Sequence, residues 1–450
     1  MLILAVTAIA AVRHPDRLPV LLTEGIAQDP CTPARVIAVP PGTPGTYLAG
    51  SSVLRTADGV DTGSGRSVPL TGREAACVRA AVRASRRWLR SGEIPGSGAA
   101  ARSMATRALL DLRLSVRPDG AVVAGWDAGW AYAWPRDSSW AAVALADTGH
   151  LRGSFRILSF LQRMQSADGT WAARYLSDGA GPVRDGRPAE LDADGWVPWA
   201  VWSWVTAQPA SAAEHRGLVR LWPMVAAAAG AAARSLTGDA LPGPAMDYWE
   251  DSVAVTLGTA APLLAGLRAA ADLAQDVGSA EAGRFAGAAA RLAAAIGSDF
   301  GRYGYHRLPF TASGADAAVT FLGPPFAEPD AAVRRAAGAA AAQLRLPVGG
   351  QRPGTSWDGA GGVAWTAETA FFALFDAATG QHQQAAGLLT WLAAHRTVLG
   401  ALPEQVAPGG SPASVAPLAW TDAVVLLALL AQTRQLRVIP VPATGAHGSG

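Results

Sequence analysis

The chain of 450 residues contains no lysine; all 37 of its basic residues are arginine. Schiff-base chemistry, a P-loop phosphate site and a serine–lysine dyad are therefore excluded. Cysteine is nearly absent: Cys31 and Cys77 are the only two, without metal-ligand spacing and with no histidine close in sequence. Histidine is scarce as well, seven in all, with no HExxH or paired pattern, so no metal site is expected. Charge is sparse, at 16% of residues and a formal net charge of +2. Without a long basic run, neither nucleic acid nor an anionic lipid surface is an expected partner. No stretch reaches the roughly 18 apolar residues of a membrane-spanning helix. The apolar segment Leu2–Val12, followed by Arg13-His14-Pro15-Asp16, has the length of a signal-peptide core but no basic residue before it. A signal or anchor remnant and a buried strand both remain open readings. In an exported protein the two cysteines can form one disulfide, tying the N-terminal segment to the first helix; in the cytoplasm they would be buried thiols. Export is the preferred reading.

Against these absences stand 50% apolar residues and 16 tryptophans, beside only 6 tyrosines and 10 phenylalanines. The apolar content supports a large core. Residues 1–72 read as an N-terminal segment of short strands and loops, rich in Pro, Gly, Thr and Val. From Arg73 onward, Ala and Leu recur at i, i+3, i+4 and i+7 with Arg or Asp between them, which is helical periodicity. Twelve helices are expected, near 73–92, 98–113, 136–149, 151–166, 191–208, 214–236, 250–277, 279–298, 330–342, 364–379, 381–396 and 417–434. Glycines at 149, 278 and 380 mark short joints where one helix ends so that another can begin. Six helix pairs predict an all-α (α/α)6 toroid spanning 73–435, with a C-terminal tail over 436–450. An open solenoid would share the local pattern, but no repeat of fixed period is present.

Six long loops, 115–135, 167–190, 237–249, 299–329, 343–363 and 397–416, alternate with the short joints. In a toroid they emerge at one end, where function is expected. Few glutamates are present, and two fall in these loops among aromatics, Pro and Gly: Glu250 in Asp247-Tyr248-Trp249-Glu250-Asp251, and Glu404 in Leu402-Pro403-Glu404-Gln405-Val406. A third acidic site is Trp134-Pro135-Arg136-Asp137. Each carboxylate alone reads as a helix-start residue favoured by the macrodipole. Together they lie among Trp126, Trp130, Tyr132, Trp134, Trp196, Trp249, Trp357 and Trp365. Aromatic faces stack on the CH faces of a pyranose, while carboxylates and arginine bind its hydroxyls. An apolar wall also keeps a carboxyl protonated, as a general acid requires. Two carboxyl groups on opposite sides of a glycosidic bond suffice for its hydrolysis, and no cofactor is implied.

These segments resemble the glucoamylase-like glycoside hydrolases of family 15. Trp134-Pro135-Arg136-Asp137 resembles the family's Trp-x-Arg-Asp; Gly186 to Asp192 is similar to its next loop; Trp249-Glu250-Asp251 resembles the Trp-Glu-Glu around the general acid. Asp316-Ala317 with Pro329-Asp330 is similar to the approach to the ninth helix. Pro403-Glu404-Gln405 with Ser414 to Trp420 resembles the segment of the general base. The resemblance covers residues 73 to 435 and implies Glu250 as general acid, Glu404 as general base and Ser414 as its orienting partner. It further implies Arg136, Asp137 and Asp192 as sugar-gripping residues, Asp251 on the leaving-group side, Trp134 and Trp249 as pocket walls, and Arg352 as the arginine before the tenth helix. Trp130 stands where the family often carries a tyrosine that helps to hold the catalytic water, with Tyr132 two residues on.

The implied chemistry is inversion, with the two carboxyls about 6.5–9.5 Å apart to admit one water. The expected activity is exo-hydrolysis releasing terminal glucose from malto- or isomalto-oligosaccharides, with α,α-trehalose as the alternative substrate. A non-catalytic sugar-binding protein on the same fold is the rival from another class, but a binder needs no paired acid and base. A prenyltransferase or terpene-cyclase-like toroid would need a metal-ligand set or Asp-rich clusters, which the sequence lacks. The partner expected is therefore a neutral oligosaccharide.

Overall fold

Inner and outer helices differ in sequence before they differ in place. Helix α4 (Leu151–Met164) alternates Phe, Ile and Leu with Arg, and buries one face. Helix α5 (Ala193–Thr206), ADGWVPWAVWSWVT, is apolar nearly all round, and every residue from Ala193 to Val205 is buried. A helix of the first kind packs on one side; one of the second must be surrounded. The computed structural model describes residues 18–56, 59–61, 67–68, 72–359 and 361–442. The segment Leu2–Val12 and residues 443–450 lie outside them.

Twelve α-helices are present: α1 (Gly72–Arg90), α2 (Ala99–Ser115), α3 (Pro135–Asp147), α4, α5, α6 (Ala212–Ser235), α7 (Leu257–Asp276), α8 (Ala282–Ala295), α9 (Ala331–Leu344), α10 (Thr366–Ala378), α11 (His382–Ala394) and α12 (Ala419–Ala431). All twelve fall near the spans that the periodicity gives them, but α7, expected from residue 250, begins only at Leu257, because Glu250 and its neighbours form a strand hairpin that ends at Val253–Ala254. Gly149, Gly278 and Gly380 take the left-handed conformation at the short joints, as a helix-ending residue must. Ser211 and Glu214 form a reciprocal capping box at the start of α6, and the Asp330 carboxylate accepts from two backbone N–H groups at the start of α9, satisfying donors that the first helical turn leaves free.

The pairing differs from six successive hairpins. Around the inner ring, α3 packs on α5, α5 on α7, α7 on a 3-10 helix at Ala317–Leu322, that helix on α10, α10 on α12, and α12 back on α3. The ring is closed. Outside it, α4, α6, α8, α9 and α11 each back one inner element, and α2 backs α12. The two ends of the chain thus complete the sixth pair, and the fold is an (α/α)6 toroid. Helix α1 lies outside the ring, and six residues of the loop expected at 299–329 supply the missing inner member. The reason is local. Ala317-Ala318-Val319-Thr320-Phe321-Leu322 is wholly buried, but it is too short to display a helical period. With this pairing every long loop runs from an outer helix to an inner element, so all six open at the same end.

The ring centre is filled with aromatic rings. Trp140 of α3 lies within 5.0–6.4 Å of Trp196, Trp199, Phe321, Phe326, Phe371 and Trp420, centroid to centroid. Trp196, expected among the loop tryptophans, belongs to this plug, because α5 has already begun at Ala193. Where α5 meets α7, Gly195 and Gly266 touch; a Cβ on Gly266 would meet the Gly195 Cα at 2.5 Å.

The N-terminal arm forms a hairpin, β1 (Gly25–Gln28) with β2 (Val36–Val39), and a four-stranded meander of β3 (Thr46–Tyr47), β4 (Leu54–Thr56), β5 (Gly59–Asp61) and β6 (Ser67–Val68). Cys31 and Cys77 are bonded, joining the hairpin loop to α1. Arg107 of α2 stacks on Tyr47 and donates to the Ser52 hydroxyl at 2.7 Å, fixing the meander to the outer ring. Among the described residues no helix is long and apolar enough to cross a membrane. Of the tail, Ile439 is fully buried and its N–H donates to the Pro325 carbonyl at 3.2 Å.

Candidate active site

Three short sheets stitch the loops over the ring. Strand β7 (Tyr132–Ala133) pairs with β8 (Tyr175–Leu176), β9 (Ala245–Met246) with β10 (Val253–Ala254), and β11 (Ala364–Trp365) with β12 (Gln405–Val406), itself paired with β13 (Pro412–Ala413). Between them opens a pocket of about 510 Å³, within the range of small-ligand sites. Trp249, Trp357 and Trp365 form one wall, meeting edge to face at 5.2 and 5.4 Å. Trp130, Trp134, Arg136, Asp137, Tyr248, Glu368 and Trp420 also line the pocket.

Glu250 and Glu404 both face this space. Glu250 sits in the turn of the β9–β10 hairpin with φ of 55°, its N–H donating to the Asp247 carbonyl at 2.9 Å. Such a left-handed conformation is costly for a residue with a side chain and persists only where the surroundings impose it. Here Arg307 imposes it. Its guanidinium stacks on Trp249 at 3.5 Å and bonds Asp247 at 2.8 Å, Asp316 at 3.2 Å and Asp251 at 3.1 Å, while the Tyr248 hydroxyl donates to Asp316 at 2.7 Å. Burial pushes the Asp316 carboxyl up to about 6, against the pull of Arg307. Gly354 is needed where Trp249 packs, since a Cβ there would lie 2.3 Å from the indole. On Glu250 itself, the Trp134 indole N–H donates at 3.1 Å, Arg136 stands at 3.6 Å and Arg187 forms an ion pair. Beside the aromatic wall, this carboxyl thus meets two guanidinium groups.

Glu404 is held differently. The Trp130 indole N–H donates to one oxygen at 3.1 Å and the Ser414 hydroxyl to the other. Ser414 too is left-handed, with φ of 61°. The N-terminal arm clamps it: Ser414 N–H donates to the Val20 carbonyl at 2.9 Å, and its carbonyl accepts from Leu22 N–H at 2.7 Å. The Glu404 backbone is fixed from both sides, donating to Val415 at 2.8 Å and accepting from Thr366 at 3.0 Å.

Arg136 is buried beneath the pocket. Its charge, opposed by burial, is restored by Glu190, Asp192 and Asp137, and its guanidinium lies 4.8 Å from the Trp420 ring centre. Burial raises the carboxyls of Glu190, to about 7, and Asp137, to about 6, with Arg136 pulling both back.

Of the residues expected in the site, Trp130, Trp134, Arg136, Asp137, Trp249, Glu250 and Glu404 line the pocket. Ser414 touches it through Glu404. Tyr132 packs on Trp134 and carries the Arg174 guanidinium at 4.2 Å. Asp192 stands behind Arg136, at 3.3 Å, and accepts from Trp196. Asp251 is engaged by Arg307. Arg352 is half-buried off the pocket wall, its N–H donating to the Leu344 carbonyl at 3.1 Å. Trp126 is also off the wall, reaching Ser115 at 3.4 Å. Four charged lining residues have no role in the sequence reading: Arg174, Arg187, Asp358 and Glu368. For Glu368 a signal existed, as a lone glutamate three positions into α10, whose first turns are otherwise uncharged and buried.

No family model matches the sequence, and no curated protein does. Solved structures do resemble it. One is a wild-type glycosidase, with TM-score 0.61, 21% identity, and 77% of this chain and 98% of that chain covered. Another is a bacterial glucoamylase complexed with acarbose, with TM-score 0.65 and 15% identity over 80% of this chain and 59% of that one. A third is the glucoamylase from Saccharomycopsis fibuligera, with TM-score 0.59 and 12% identity over 76% of this chain and 97% of that one. At these identities the likeness is one of fold.

Proposed function

We propose that the protein is a glycoside hydrolase of the glucoamylase-like kind, releasing terminal glucose from α-glucosides with inversion. The observation that carries this reading is the pair Glu250 and Glu404, facing one tryptophan-walled pocket, Glu250 held by Trp134 and Arg187 from two other loops, and Glu404 by Trp130 from another loop and Ser414 from its own. The resemblance to the family 15 segments and the fold shared with glycosidases and glucoamylases support it.

In this mechanism Glu250 protonates the glycosidic oxygen while Glu404 takes a proton from a water on the opposite face of the sugar. Two fixed donors hold the base oxygens in place, so it meets that water in one orientation. The Trp249–Trp357–Trp365 wall stacks on the ring, and Arg136 and Asp137 bind its hydroxyls. An indole at position 130 donates a hydrogen bond to the base but, unlike a phenol, has no oxygen to accept one from the water. Water positioning therefore falls more heavily on Glu404 itself.

Incubation with maltose, isomaltose, α,α-trehalose and longer malto-oligosaccharides, read by glucose oxidase, is expected to show glucose from at least one. If none is cleaved at any pH from 4 to 9, the hydrolase reading fails.

A further inference from the structure

Glu368 is a carboxyl that the acid–base pair does not use. It stands in the first turn of α10 on the pocket lining, 4% exposed, and its Oε2 is buried without a hydrogen-bond partner. A buried polar atom left unpaired costs about 1–3 kcal/mol, and such atoms call for an explanation. Packing alone supplies none, for a leucine or methionine would fill the same space without that cost. A ligand in the pocket would supply the partner.

Resting on the glycosidase reading, we propose that Glu368 is a substrate-recognition residue, hydrogen-bonding a hydroxyl of the terminal sugar ring from within the pocket.

The charged and titratable groups around it set how it does so. Glu404 from the loop before α12, Asp316 before the 3-10 helix and Tyr248 before α7 face it, with Arg136 and Asp137 of α3 beside them and Arg307 behind Asp316. Burial, with Glu404 and Asp316 nearby, pushes its carboxyl up to about 8. A carboxyl raised this far keeps its proton near neutral pH. It can donate to a sugar oxygen as well as accept, which an ionised carboxylate cannot. Above about pH 8 it loses the proton, and with it the donor, and places a second negative charge near Glu404.

The test compares wild type with Glu368→Gln, which keeps a donor at every pH, and Glu368→Met, which keeps only the volume. D-glucose and maltose are titrated by tryptophan fluorescence from pH 5 to 9.5, alongside KM and kcat on whichever α-glucoside is cleaved. Expected are wild-type-like affinity for the glutamine variant at pH 6 and affinity about tenfold to a hundredfold weaker for the methionine variant. Wild-type affinity should fall above pH 8 while that of the glutamine variant does not. If all three bind and turn over alike at every pH, this role is overturned and the glycosidase reading stands. If the pattern appears without turnover, the role is supported and the hydrolase reading fails. If the wild type binds neither sugar and cleaves no α-glucoside, both fall; if it cleaves one without measurable binding, the KM values decide in place of the affinities. Should the methionine variant not fold, the pH profiles of wild type and glutamine variant decide: parallel decline overturns the role.

Discussion

The two sides of the pocket hold their carboxylates by opposite means. On one side Glu404 is gripped by two neutral donors, an indole N–H and a hydroxyl; its backbone is locked between Val415 and Thr366, and the N-terminal arm clamps its partner Ser414. On the other, Glu250 rides the tip of a hairpin and meets two guanidiniums, one of them the exposed Arg187, itself tied to Asp185 at 3.2 Å. Neutral donors fix direction without adding charge; a guanidinium also favours the ionised carboxylate. A base gains from both, whereas an acid must be able to regain its proton. In the proposed reading the Glu404 side is built for rigidity, while the Glu250 side carries a contact at the solvent edge of the pocket, through Arg187, that an incoming sugar would displace.

The comparison breaks most sharply if either carboxylate is dispensable. Glu404→Gln and Glu250→Gln are each expected to lower kcat at least about a hundredfold, since each proton-transfer role contributes about 10²–10⁴-fold. Circular dichroism and the melting temperature should stay near wild type. Near-normal turnover by either variant would remove it from the chemistry. A smaller effect sharpens the base side. Ser414→Ala and Trp130→Phe each take one donor from an ionised oxygen, worth about 1.5–3 kcal/mol, and should cost roughly ten- to a hundredfold in kcat with little change in KM. If KM moves instead, those residues bind sugar and do not position the base. The smallest effect belongs to the acid side. Arg187→Met removes a partly exposed cation, so solvent screening limits the change. Turnover should change by no more than about fivefold, with the melting temperature near wild type. A loss as large as that of Glu250→Gln would mean that Arg187 carries part of the chemistry.

Much of this was legible in the sequence, for identifiable reasons. Helices announce themselves through spacing, and Gly149, Gly278 and Gly380 punctuate them, so twelve helices and six long loops could be read off. The member that closes the ring could not, because a six-residue apolar run such as Ala317–Leu322 carries no period. Helix α1, with its strongly one-sided pattern, reads like an outer helix although it lies outside the ring. In the site, Glu250, Glu404, Trp130 and Ser414 stand in motifs whose residue types are unusual for loops. Arg187 and Glu368 do not, for a lone arginine in a Gly-Arg-Pro turn and a glutamate in a first helical turn both have ordinary explanations. Only the converging loops reveal that one reaches Glu250 and the other stands beside Glu404. Trp196 shows the reverse error, a tryptophan near a loop that belongs to the central plug.

The central claim is that Glu250 and Glu404 act on opposite faces of one sugar, as acid and base with a water between them. Proton NMR during the first minutes of maltose or isomaltose hydrolysis tests it most directly. The account predicts that β-glucose appears first and the α-anomer grows only as fast as mutarotation allows. Glucose appearing first as the α-anomer would contradict it, placing a covalent, retaining step where a base-activated water is claimed.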